Sequence, residues 1–191
     1  MTTRQEQKEK RKQDILYAAL DLFVTKGYAS TKISDIAQKV DMSIGLLFHY
    51  FESKEKLYET LVSLGLEGTK FPVAQKCDHA IDFFVNFTEQ LLKFMNEQPY
   101  TSKIFWLMAE AQRSEGTPEH IRALALQVDT VEQFIPIIEW GQQEGTIREG
   151  NPIALSYAFW CSIQGIAENH VFHPDVELPK ATWIVDIVRK R

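Results

Sequence analysis

ISDIAQKVDMSIGLLFHYFESKEKL, running from Ile33 to Leu57, holds two short helical patterns separated by a turn. Ile33, Ile36, Ala37 and Val40 recur at helical spacing, and Thr31 stands ahead of them as a candidate cap. After Asp41 and Met42, Ser43 can cap a second short helix through about His49. Ser53 can cap the next helix, with Leu57, Leu61 and Leu64 expected on its inner side. Two short helices joined by a three- to four-residue turn form a helix-turn-helix, whose second helix can enter a DNA major groove about 12 Å wide. Ala37 suits this arrangement, because a small residue lets the two helices approach closely. At Asp41 the turn calls for positive φ, which Gly tolerates best and Asn or Asp next best.

Within this frame, Ile36-Ala37, Ser43, Gly45, Leu47, the aromatic Phe48, Tyr50-Phe51, and Lys54-Glu55 with Leu57 form a recognisable combination. Over about Asp14 to Leu61 it resembles the TetR family of bacterial transcription regulators. The resemblance implies an all-α fold, with an N-terminal three-helix helix-turn-helix DNA-binding domain followed by a larger helical ligand-binding and dimerisation domain. It also implies roles. Ser43, Ile44, Gly45 and Leu46 begin the recognition helix and face the groove floor, with Gly45 permitting close approach and Ile44 and Leu46 able to touch thymine methyls. His49 and Tyr50 sit at the rim. Thr31 and Lys54, each near a helix N-terminus, bind phosphate. Two departures from the family pattern stand out. Asp41 takes the place usually held by Gly, and Phe48 the place of a Tyr whose hydroxyl commonly reaches phosphate. Phe48 is thus left to packing or to apolar contact with DNA. Ile36, Val40, Leu47 and Phe51 are expected in the core.

Upstream, Ile15, Ala18, Ala19, Leu22 and Phe23 mark one face of a helix ending near Lys26, with Gly27 just past it. Lys8, Lys10, Arg11 and Lys12 form a short basic arm within residues 1–12. It either follows the DNA backbone or minor groove, or is a solvated tail interrupted by Glu6 and Glu9. The DNA-binding domain is thus expected over 1–56 and the effector and dimerisation domain over 57–191.

Downstream the pattern remains helical. A helix is expected from about Lys76 to Glu97, ended by Gln98-Pro99, and another from about Thr101 to Arg113. Thr117-Pro118 and Asn151-Pro152 each read as a cap followed by a first-turn proline. The helix after Pro118 is predicted to run to about Gln143 with a kink at Pro136. The last is predicted to begin near Pro179. Gly65 and Gly68 mark either a hinge or a helix end. By the resemblance, the helices from Pro152 to about Val171 and from Pro179 to Arg191 build a four-helix homodimer bundle. Tyr157, Trp160, Ile163 and Trp183 are its candidate interface residues, or else core. By the same resemblance, Phe84, Phe87, Phe105, Trp106, Phe134 and Trp140 are candidates to line a pocket for a small apolar or amphipathic effector. Most aromatic stripes, however, are plain core.

Composition bounds the remaining alternatives. The chain has 191 residues, 45% apolar and 25% charged, which is ordinary globular usage. Cys77 and Cys161 are too few for a disulfide framework. The sequence has neither a run of about 18 apolar residues nor an apolar leader segment, which points to a cytoplasmic protein without membrane contact. The net charge of −5 argues at first against a nucleic-acid partner, but it is unevenly spread. Residues 1–56 carry 10 Lys+Arg against 8 Asp+Glu, leaving 11 against 18 for the rest. An enzyme would need a reaction motif, and GxSxG, GxGxxG and the P-loop are all missing from the sequence. His170-x-x-His173, near Glu168 and Asp175, is a weak metal pattern, and neither metal nor cofactor is expected. An interaction module with a degenerate DNA-binding head is the other alternative. The favoured expectation is a repressor that binds a palindromic double-stranded operator as a homodimer and is released by its effector.

Overall fold

The computed structural model describes residues 3–69, 77–127 and 129–191. These residues form ten helices and an isolated antiparallel bridge, and they divide into two compact units. The first unit comprises residues Met1–Gly68 and Lys103–Gln127, the second Thr69–Ser102 and Val128–Arg191.

In the first unit, α1 (Arg4–Lys26) opens on a capping box in which Thr3 Oγ1 accepts from the Glu6 amide and the Glu6 carboxylate accepts from the Thr3 amide. It closes at Gly27, whose φ of 80° is open to glycine at no steric cost. Ile15, Ala19 and Leu20 are its most deeply buried residues. The short helices α2 (Ile33–Lys39) and α3 (Ile44–Phe48) follow, burying Ile36 and Leu47. Ser53 caps α4 (Lys54–Thr69), its Oγ accepting from the Lys56 amide at 3.0 Å. The unit is completed by most of α6 (Tyr100–Arg113) and by α7 (Glu119–Ala125).

The second unit packs α5 (Ala80–Glu97), α8 (Thr130–Glu144), α9 (Pro152–Phe172) and α10 (Ala181–Val185). Its core is aromatic: Phe84 and Phe134 each meet Phe159, at centroid distances of 4.8 and 5.3 Å, and Phe87 meets Phe134 at 5.4 Å. These three contacts are edge-to-face, as ring quadrupoles favour. In α9, Asn151 Oδ1 accepts from the amides of Ile153 and Ala154, with Pro152 in the first turn, as its sequence predicts.

Several expectations are corrected. Residues 8–12 lie in α1, so the basic arm is the start of a helix and not an extended tail. The backbone cap of α2 is Lys32, not Thr31, and the Asp35 carboxylate accepts from the Lys32 amide. Leu64 is exposed, and the inner side of α4 carries Tyr58 and Val62 beside Leu57 and Leu61. Gly65 and Gly68 are both inside α4. Gly65 serves close approach: a Cβ there would sit 2.5 Å from Met108 Sδ on α6. The expected start near Lys76 lies outside the described residues, and α5 opens at Ala80. Pro118 is itself the cap residue of α7. The predicted long helix is two helices, because Asp129 caps a new one by accepting from the Val131 and Glu132 amides, and α8 then continues through Pro136.

The C-terminal helix ends at Val185, well short of Arg191. The chain turns back instead to pair with residues 146–148. Arg148 N donates to Val188 O at 2.9 Å and Lys190 N to Thr146 O at 3.0 Å, while the Arg148 guanidinium takes the carbonyls of Asp186 and Arg189. Carbonyls that a longer helix would use internally are satisfied by this clamp. The expected domain boundary at 56/57 also differs from the division into compact units, since α4 joins the head, and so do residues 103–127.

Candidate nucleic-acid interface

The link between α2 and α3 is built by a Schellman motif around Asp41. Asp41 has φ 51°, the only positive φ of a non-glycine among the described residues. Met42 N donates to Ala37 O at 2.9 Å and Asp41 N to Gln38 O at 3.2 Å, the six-to-one and five-to-two bonds that close a helix on a left-handed residue. The positive φ read from the sequence at Asp41 is therefore present, in a residue type that tolerates it. Ser43 then starts α3, its Oγ accepting from the Leu46 amide at 3.2 Å.

α3 is anchored by one residue and presents the rest. Leu47 is fully buried and Phe51 nearly so, while Ile44, Leu46 and Phe48 are 43%, 44% and 46% exposed. Ser43, Gly45 and His49 are also exposed, and Tyr50 is half-buried. At about 100° per residue, Gly45 and His49 point away from buried Leu47, Leu46 lies on one flank, and Ile44 and Phe48 lie on the other. A Cβ at Gly45 would meet nothing within 4 Å, so this position opens to the outside. Seven of the nine DNA-contact candidates, Ser43, Ile44, Gly45, Leu46, Phe48, His49 and Tyr50, thus share one short segment and lie at least partly at the surface.

Thr31 and Lys54 are placed differently. Thr31 is buried, and its Oγ1 lies 2.8 Å from Gly27 O and 3.2 Å from Leu22 O. Its side chain closes the α1–α2 loop and does not reach the surface, which corrects the expected phosphate contact. Lys54 Nζ donates to Tyr28 O at 2.8 Å and Thr31 O at 2.9 Å, and stands 4.2 Å from the centroid of the Tyr28 ring. Burial pushes the Lys54 pKa below the usual lysine value. Tyr28 stacks on Tyr58 at 4.5 Å, and the Tyr58 hydroxyl lies 3.5 Å from Thr117 Oγ1. Lys54 is thus a clasp between α4 and the loop leading to α2.

The sequence reading missed this tyrosine cluster, and it missed Asp21. The Asp21 carboxylate pairs with both Lys39 of α2 and Lys103 of α6. Burial alone would raise the Asp21 pKa, but the hydrogen bonds and charges of Lys103 and Lys39 outweigh it and hold the carboxyl below its ordinary range. No local pattern signals a pair formed across 82 positions of sequence.

The other candidates fall into separate groups. Phe84, Phe87 and Phe134 are buried together in the second unit with Phe83 and Phe159, which the effector set omitted. Trp140 is 38% exposed there, whereas Phe105 and Trp106 are half-buried residues of the first unit. Among the interface candidates, Ile163 is core at 1% exposure and Trp160 is half-buried with its ring 6.0 Å from Phe134. Tyr157 and Trp183 are 51% and 65% exposed. Among the described residues no group of three His, Cys, Asp or Glu side chains could hold a metal ion, and no helix is long and apolar enough to cross a membrane.

Comparison with known proteins bears on this geometry. Residues 15–61 match the family model of bacterial regulatory proteins of the tetR family. The HTH-type transcriptional regulator RutR of Escherichia coli is 28% identical over 180 residues, covering 93% of this chain and 82% of that protein. An uncharacterized HTH-type regulator of Bacillus subtilis, YfiR, is 24% identical over 173 residues, covering 87% and 83%. The fold resembles that of the MbdR regulator from Azoarcus sp. CIB, with a TM-score of 0.79 at 20% identity over 92% of this chain and 95% of that one. These similar proteins are transcription regulators, a group not known for enzymatic activity.

Proposed function

The chain belongs to the TetR family of bacterial transcription regulators, and from that premise we propose that it is a cytoplasmic repressor that binds a palindromic operator as a homodimer and is released by a small apolar or amphipathic effector. The observation that carries this reading is the surface of α3: a helix fixed by a single buried leucine, with its remaining side chains presented outward. In a soluble domain, three large apolar side chains left open on five residues are what a macromolecular contact surface needs.

One head reads only a few base pairs. A two-fold dimer places two recognition helices about 34–36 Å apart, matching successive major grooves on one face of the duplex. The dimer is supported by α9, whose residues from Pro152 to Ala167 include no charged side chain although Ile153 and Tyr157 are half exposed. The effector is supported by the concentration of aromatic residues outside the head. Of the six candidates, Phe84, Phe87, Phe134 and Trp140 share a unit and carry this part of the proposal. Release is then a coupling free energy: the effector binds more tightly to a dimer geometry in which the recognition helices no longer match the operator spacing. The helix α4, which packs against α6 at Gly65 within the first unit, is the proposed transmitter.

The test is genome-wide mapping of sites occupied by the chain, paired with its Gly45→Glu variant. The expected result is an enriched palindromic motif that disappears for Gly45→Glu. The variant keeps its melting temperature, because the position is open to the outside. Occupancy with no enriched motif, or a motif unaffected by Gly45→Glu, would overturn the reading.

A further inference from the structure

The chemistry of α3 restricts how an operator can be recognised. From Ile44 to Phe48 no side chain can donate or accept a hydrogen bond. The neighbours with that capacity are Ser43 at one end and His49 and Tyr50 at the other, and the Ser43 hydroxyl, which accepts from the Leu46 amide, keeps a single proton to donate. The bidentate pairings that distinguish guanine and adenine need Arg, Lys, Asn or Gln, which this surface lacks. What it offers is apolar: Leu46 on one flank, Ile44 and Phe48 on the other, each more than 40% exposed. Gly45 lies between the flanks with no side chain to hold the backbone away. A helix bare along its central line can seat deeply in the major groove and bring both flanks against the base edges.

Only one base presents an apolar group in the major groove, namely thymine through its C5-methyl. Resting on the DNA-binding reading above, we propose that the operator half-sites are recognised through thymine methyl groups, contacted by Leu46 on one side and by Ile44 with Phe48 on the other. Specificity therefore comes from burial of methyl groups against leucine, isoleucine and phenylalanine, not from the bidentate pairings of Arg, Lys, Asn or Gln. DNA is preferred over an apolar protein partner because residues 1–56, which hold α3, carry 10 Lys+Arg against 8 Asp+Glu, whereas the rest of the chain carries 11 against 18.

The experiment starts from a duplex selected by the full-length protein out of a random library. Each thymine of the half-site is then replaced singly by deoxyuridine, which pairs identically but lacks the methyl. Burial of a methyl is worth about 0.8 kcal/mol, so loss of a contacted one should weaken binding about fourfold at each half-site, while uncontacted positions remain silent. Leu46→Ala should abolish the deoxyuridine effect at one position and leave it at another, and Ile44→Ala should do the reverse. Both side chains are exposed, so both variants fold. A selected duplex whose affinity is indifferent to deoxyuridine everywhere overturns thymine readout and leaves the DNA-binding reading standing. A library that yields no duplex overturns the DNA-binding reading itself. Deoxyuridine indifference combined with a change of oligomeric state in Leu46→Ala without DNA assigns the patch to self-association instead.

Discussion

At the scale of single residues, Lys54 separates a structural role from the proposed DNA contact. Two of its three N–H groups go to the carbonyls of Tyr28 and Thr31, and the proposed phosphate contact would fall to the third. Lys54→Met keeps the apolar stem over the Tyr28 ring and deletes the charge. Leaving two part-buried carbonyls without their donor should cost about 1 kcal/mol, since water replaces some of the loss. Denaturant unfolding measures that cost. On the proposed operator the log–log slope of affinity against salt should shallow by about one unit, the signature of one lost phosphate contact. A stability loss with an unchanged slope would make Lys54 a clasp alone. This residue also marks the limit of sequence reading. The positive φ at Asp41 and the cap at Ser43 were legible because their causes lie within three or four positions. The partners of Lys54 lie twenty-three and twenty-six positions away and one of Thr31's lies nine away, and the fold alone decides that these groups are turned inward.

Between elements, Asp21 of α1 links α2 through Lys39 and α6 through Lys103. This is the contact by which α6 can bear on the helix-turn-helix without passing through α4. Asp21→Asn keeps the shape and removes the charge, and should lower stability by about 1 kcal/mol at neutral pH, a size set by the partial exposure of both pairs. The sign of the pH dependence follows from the lowered pKa. A carboxylate held below its unfolded value near 3.9 stabilises the fold above that pH and loses its contribution as pH falls through the folded value. Unfolding curves of wild type and Asp21→Asn should therefore converge in acid, and a gap that persists below the folded value would sink the assignment. Two further helix starts were readable for the same local reason as Ser43: Ser53 and Asn151 announce themselves beside the amides they cap. The break before α8 and the early end of α10 were not. One turns on Asp129 taking the role expected of continuing helix, the other on Arg148 capturing carbonyls some forty positions later.

For the whole molecule, the uneven charge and the uncovered apolar surface point the same way. Residues 1–56 have only a small basic excess, too little to hold a polyanion tightly alone, and the proposed dimer supplies the missing affinity by duplication. In α9, Ser156, Phe159, Ile163 and Ala167 face inward, at the spacing of one helical side. Ile153, Tyr157 and Cys161 form an outward row four positions apart, with no charge among them. An apolar row left on the outside of an otherwise packed helix is costly in water, and a second copy meeting it across a two-fold axis covers both rows at once. In such an interface every substitution occurs twice and faces its own image. Tyr157→Glu therefore introduces two like charges into one apolar contact, where burying even one unpaired charge costs about 3–5 kcal/mol. The subunit itself should stay folded, since Tyr157 is half exposed and does not support its core. Analytical ultracentrifugation of Tyr157→Glu should then show a folded monomer with a dimer dissociation constant raised by at least about a hundredfold. Binding to the palindrome should drop to the level of a single half-site. A variant that remains dimeric would move the interface off this row of α9.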